Sequence, residues 1–274
     1  MTSPAGVGFS LKFETEKKKL DKLNQQYASL LAAYDELIST VRANLEADYM
    51  MRIGRKEHQV FSLQIQVQQL KREISLYQAA RNKGEAVSSD AVQKIIEQEF
   101  AEYKAQLAEQ QEKILQAENL HLAEKLPAGD AKALKELYHD MVRKLHPDLN
   151  PGLPEKAKIL WQKISEAYKS WDWQELNVLA DMAYDLLDRK EIKIEQLNSM
   201  ETILERQKNV SEKIRAVRAK TKELRSRPPF TYEKLLSDQD AVNARRKELD
   251  ELKAQFEEHI RQLTAMRDEL RGGK

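Results

Sequence analysis

The residues of this chain best suited to chemistry stand side by side: His146, Pro147 and Asp148, in the stretch RKLHPDLNPG at 143–152. Three readings fit these types at this spacing. One is a helix stop: histidine in a last turn suits the helix dipole, proline cannot continue the helix, and Asp and Asn open a turn. A metal or catalytic centre is the second. His139 and His146 are seven apart with no third ligand at suitable spacing, and a catalytic role needs a nucleophile and a pocket. The third is a presented recognition loop. Proline would fix the backbone, so two polar side chains would keep one geometry and lose little entropy on binding. Taken in isolation, the tripeptide fits the helix stop best.

Composition limits what can position that loop. The chain has 274 residues, 33% of them charged, with only eight glycines and seven prolines. Few turn formers among many Lys, Glu, Gln, Leu and Ala predict long helices and coiled coils. A net charge of +1 provides no global field for nucleic acid or membrane. Cysteine is absent, which excludes disulfides and thiolate zinc sites and fits a reducing compartment. The opening MTSPAGVGFSLKFE has no charged region ahead of an apolar core, so no signal peptide is expected. No apolar run approaches the roughly 20 residues that span a bilayer. The expectation is an all-α cytoplasmic protein with no cofactor, no metal and no membrane span.

Three helical seams precede the loop. Leu20, Leu23, Tyr27, Leu30, Tyr34, Leu37 and Val41 follow one another at spacings of 3 and 4, a heptad pattern that slips after Val41. Gly54 suggests a chain reversal. A second seam runs Val60, Leu63, Val67, Leu70, Ile74, Tyr77 and ends in the turn formers of residues 81–90. A third carries Ile96, Phe100, Tyr103, Leu107, Ile114 and Ala117, and an up-down-up antiparallel arrangement is the economical reading. In the middle, Leu134, Leu137, Tyr138, Met141, Val142 and Leu145 mark one face of a shorter helix. After the proline-rich loop come Ala157, Leu160, Trp161, Ile164, Ala167, Tyr168 and Trp171. Asp172 then caps a helix with Leu176, Leu179, Ala180, Ala183 and Leu187. Two aromatic-rich helices joined by a rigid loop predict a small core of their own. Heptads return with Ile203, Val210, Ile214, Val217 and Leu224 and stop at Pro228-Pro229. A last helix carries Val242, Leu249, Leu252, Phe256, Ile260, Leu263, Met266 and Leu270. The expected organisation is a flexible N-terminus at 1–10, a coiled-coil region at 11–126, a compact unit at 127–190 and a helical hairpin at 191–274.

The run LKELYHDMVRKLHPDLNP at 134–151, followed by AKILWQKISEAYKSW at 157–171, resembles the J domain of DnaJ-type co-chaperones. Tyr138, Met141, Val142 and Lys144 match the frame of that family's helix II ahead of its HPD tripeptide. Trp161, Ile164, Ala167 and Tyr168 match its helix III, and Leu137 lies on the same apolar face. The resemblance covers about residues 112–190, most closely 130–171. It implies that His146, Pro147 and Asp148 contact a DnaK-type chaperone and trigger its ATP hydrolysis, with Lys144, Arg143 and Lys135 steering the encounter. The chain itself would then be no enzyme. Leu145 stands where the family has an aromatic, and His139 and Asp140 replace two basic positions. The family's helix I opening is missing, so residues 112–125 are expected to serve as helix I.

Two further features carry charge or aromatic surface. Residues 206–227 hold nine Lys or Arg and two Glu, a net +7. This suits nucleic acid, anionic lipid or an acidic protein, but the seam already accounts for the helix and no aromatics interleave. A solvated face balanced by the acidic residues 248–258 is therefore expected, and nucleic acid is not expected as a partner. Trp161, Trp171 and Trp173 read as core. Coiled coils would recruit a client or partner protein, and the same seams would serve a homodimer. The alternative is a non-catalytic coiled-coil scaffold in which the J-like unit is a spacer.

Overall fold

A computed structural model describes residues 4–84, 88–122, 128–170, 172–188 and 199–272. Within them the fold is all-α. Two compact units form, Met1–Ala43 with Glu124–Arg227, and Asn44–Ala123 with Pro228–Lys274. The expected boundaries at 126/127 and 190/191 are not those of the compact units.

In the first unit, α1 (Pro4–Glu36) is followed by a π turn (Leu37–Val41). Helical backbone at Pro4–Ser10 replaces the expected flexible N-terminus there; residues 1–3 lie outside the described residues. The extra residue in a π turn re-phases the helix surface, which is why the heptad slips after Val41. The middle segment forms α6 (Ala128–Leu145), α7 (Glu155–Lys169) and α8 (Trp173–Asp188), and α9 (Met200–Arg225) follows. Leu134, Tyr138, Met141, Val142, Ile164, Ala167, Tyr168 and Leu176 fill a buried core between α6, α7 and α8. Ala28 and Ala32 of α1 close it, four residues apart and fully buried, so the small side chains let α1 approach α6 closely. Trp161 is buried and Trp173 packs against this core, while Trp171 lies outside the described residues.

Residues 112–125 do not serve as helix I. The part of them in α5 (Ala101–Leu122) belongs to the second unit, and residues 123–127 are not described. The helix packed antiparallel to α6 is α1: Asp35 bonds Tyr138 and Tyr27 bonds Asp148. The physical reason is the apolar face of α1, which offers two alanines and a tyrosine at the crossing.

The expected C-terminal hairpin is likewise corrected. Ile203, Val210, Ile214 and Val217 of α9 are buried against Leu20 and Tyr27 of α1. The two helices run parallel: Gln207 donates to the Glu16 carbonyl at 2.8 Å, and Leu30 lies beside Arg218 and Thr221. In the second unit α11 (Gln239–Gly272) runs parallel to α3 (Arg55–Lys83), with Arg245 on Glu57 and Arg267 on Glu73. Val60 and Val67 of α3 meet Leu249 and Leu263 of α11 across the seam.

Gly54 makes no reversal. It sits in a π turn (Met50–Gly54) between α2 (Arg42–Tyr49) and α3 with helical angles, φ −55°. A Cβ there would lie 2.6 Å from the Met50 sulfur, so glycine answers local crowding rather than a turn. The reversal comes at Gly84, φ 69°, a left-handed C-cap. From there α4 (Ser89–Glu99) and α5 run back along α3, with Arg72 on Glu99 and His58 on Gln110. The third predicted helix therefore divides at Phe100. Tyr103, expected to pack in its seam, is exposed instead. A short α10 (Glu233–Ser237) precedes α11. Among the described residues no helix is long and apolar enough to cross a membrane.

Candidate functional site

The 146–152 loop is built from the end of α6 outward. Pro147 has no N–H, so the ladder stops with the His146 N–H bonded to the Val142 carbonyl at 3.1 Å. The freed carbonyls find new donors. The Asn150 side-chain amide donates to Arg143 O at 3.0 Å, and the backbone N–H groups of Leu149 and Asn150 both donate to His146 O at 3.0 Å. Asn150 is thus a C-terminal cap for α6. Leu149 packs against both the α6–α8 core and the α1/α9 seam, which pins the loop at its midpoint.

Aromatic stacking carries the core out to the histidine. The Tyr138 ring stacks on Tyr168 at 3.8 Å and lies 5.7 Å from Trp161, and His146 meets Trp161 edge-on at 5.1 Å. Such contacts add about 0.5–1.5 kcal/mol each beyond the area they bury. The Tyr138 hydroxyl donates to Asp35 at 2.7 Å. Burial pushes the imidazole of His146 below its ordinary pKa, against the opposing pull of the Asp148 and Asp35 charges. Its Nδ1 accepts the Asp148 N–H at 3.1 Å. The neutral ring therefore carries its proton on Nε2, the one nitrogen left to donate outward.

Asp148 is held from two helices distant in sequence. The Tyr27 hydroxyl of α1 donates to its Oδ2 at 2.8 Å. Lys213 of α9 reaches Oδ1 and the backbone carbonyl, each at 3.3 Å. Burial pushes the Asp148 carboxyl up, but the Tyr27 bond and the Lys213 ammonium outweigh it, and the group titrates below its ordinary value. Tyr27 is driven up by burial and by that same carboxylate.

The three cations expected to steer a partner are not grouped as a free basic face. Lys135 is ion-paired with Glu36 of α1. Arg143 and Lys144 both converge on Asp140, at 2.7 Å each, and Lys144 also lies 4.4 Å over the Tyr184 ring. The Tyr184 hydroxyl donates to the same carboxylate at 2.8 Å; burial and this acceptor push the phenol up to about 12. His146, Pro147 and Asp148 thus share one loop with Tyr27 and Lys213, while Arg143 and Lys144 form a separate cluster on Asp140. Tyr27 and Lys213 escaped sequence reasoning. They are 121 and 65 residues from Asp148, and their local signal was only a heptad seam position and one cation among nine. Among the described residues no group of three His, Asp or Glu is arranged to hold a metal ion. Compared with protein-family models, curated proteins and solved structures, the chain matches none of them.

Proposed function

We propose that this chain is a J-domain-type co-chaperone that binds a DnaK-type ATPase through His146, Pro147 and Asp148 and stimulates its ATP hydrolysis. The observation that carries the reading is the join between α6 and α7. The tripeptide stands at the helix end, its proline and the Asn150 cap fix the backbone, and Trp161 sets the histidine ring. Such a loop loses little freedom on binding. The chain does no chemistry itself in this reading; the ATPase does. Arg143, Lys144 and Lys135, paired with Asp140 and Glu36 but still partly exposed, orient the encounter, and the paired helices select a client. The absence of cysteine suits a cytoplasmic setting. ATP turnover by a DnaK-type chaperone rises when this protein is added, and His146→Gln removes the rise while the helical signal in circular dichroism is kept. Unchanged turnover at micromolar concentrations of the parent chain sinks the reading.

A second reading is a coiled-coil scaffold with a J-like spacer. It is favoured by one observation: both carboxylate oxygens of Asp148 and the α6 cations Lys135, Arg143 and Lys144 are already engaged inside the chain. A parent chain that binds partners but leaves the ATPase rate unaltered would select it.

A further inference from the structure

α9 carries a basic stripe along the flank of its seam. Lys208, Arg215, Arg218, Lys222 and Arg225 follow one another at spacings of 7, 3, 4 and 3, which places them on one face of the helix. Lys208, Arg215, Arg218 and Lys222 are exposed and form no ion pair among the described residues. From residue 213 to 227 there are seven Lys or Arg against one Glu, and that Glu223 is paired with Arg227. The helix dipole favours cations in the last turn only, so it does not account for Lys208, Arg215 or Arg218.

The expected counter-charge is committed elsewhere. Glu248, Asp250, Glu251, Glu257 and Glu258 are ion-paired with Arg245, Lys56, Lys247, Lys253 and Arg261, all inside the second unit. The face is solvated as expected, but its balance by residues 248–258 is corrected: the acids meant to balance the stripe are held by their own neighbours.

Beside the stripe, α1 and α9 leave an open groove of ≈ 470 Å³ lined by Leu30, Arg218, Thr221, Lys222, Arg225 and Ser226. Its lining is mainly apolar, with Leu30 beside Thr221, and Arg218, Lys222 and Arg225 supply positive charge. A phosphate backbone has no apolar group to set on such a lining, and no aromatic is present to stack a base. An acidic segment with apolar anchors at helical spacing meets both features. We propose that this stripe and groove dock an acidic, amphipathic segment of a partner protein, independently of how the 146–152 loop functions.

The test uses the full chain and fluorescence anisotropy. The probe is a fluorescein-labelled peptide of about 18 residues, glutamate-rich with leucines at helical spacing. Its comparators are the same peptide with serine for leucine and a random DNA duplex of about 20 base pairs. Micromolar binding of the leucine peptide is expected, weakened about tenfold or more by Arg218→Glu with Lys222→Glu. Lys71→Glu with Lys94→Glu, an equal charge change on exposed sites of the second unit, leaves binding as it was. No binding, equal binding of the serine peptide, tighter binding of the duplex, or indifference to the Arg218/Lys222 reversal each overturns the proposal.

Discussion

Two basic helices of the first unit treat their charge in opposite ways. α6 holds Lys132, Lys135, Arg143 and Lys144, and all four are drawn onto Glu136, Glu36 or Asp140. α9 sends one cation, Lys213, to the 146–152 loop and leaves Lys208, Arg215, Arg218 and Lys222 in solvent. The difference arises from what each helix packs against. α6 crosses α1 where Asp35 and Glu36 end the helix, and it carries its own Asp140 one turn from Lys144. α9 lies parallel to α1 along an apolar seam, where Glu16 is held by Lys19 and Gln207 rather than by the basic stripe. A count of cations in either helix would thus misjudge the field it presents. The surface charge that a partner meets depends on which cations have already been neutralised at short range.

The largest expected effect strikes the α6 side alone. Tyr138 is fully buried between Tyr168 and Trp161. Tyr138→Ala costs about 3–5 kcal/mol, read as a lowered midpoint in urea with an unchanged slope. A loss below about 1 kcal/mol would mean that the α1/α9 seam holds the unit without the aromatic stack.

Asp140 gives the next effect and carries a pH signature. Burial raises its carboxyl, but bonds from Lys144, Tyr184 and Arg143 prevail, so the folded group titrates below its ordinary value of 3.8. A depressed carboxylate stabilises the fold above the unfolded value, and that stabilisation disappears as pH falls through the folded one. Asp140→Asn is expected to cost about 1 kcal/mol near neutrality, discounted for the partly exposed cations. Stability curves of the two proteins should converge below pH 3.8. Parallel curves down to acid would show that Arg143 and Lys144 are not bound to Asp140, and the contrast with α9 would vanish.

The smallest effect belongs to Lys213→Ala. Its side chain and that of Asp148 are 41% and 48% exposed, so the pair contributes about 0.5 kcal/mol or less. Chemical denaturation checks this. A loss above about 2 kcal/mol would make Lys213 a buried anchor rather than a surface contact.

Secondary structure was largely legible in the sequence. Apolar periodicity located α1, α3, α6 and α9, and the aromatic frame Tyr138, Trp161, Tyr168 identified the core around the loop. Pro147 ending a helix and Asp172 capping the next were readable because both act through neighbours a few residues away. Gly54 was misread because glycine marks a turn in one setting and a crowded helix in another, and only the Met50 contact distinguishes them. Within the site, the tripeptide was readable and its two holders were not.

Sequence alone specifies most inward-facing positions and stops such as Pro147, since dihedral preference and side-chain period are local properties, though Tyr103 and Gly54 escape the rule. Only the tertiary structure decided that α1 pairs with α9 and crosses α6, that α11 pairs with α3, and that Tyr27 and Lys213 close on Asp148. The reason is physical: a heptad seam specifies an apolar stripe but neither its partner nor its direction. An ion pair exists only once packing has brought its two halves within reach.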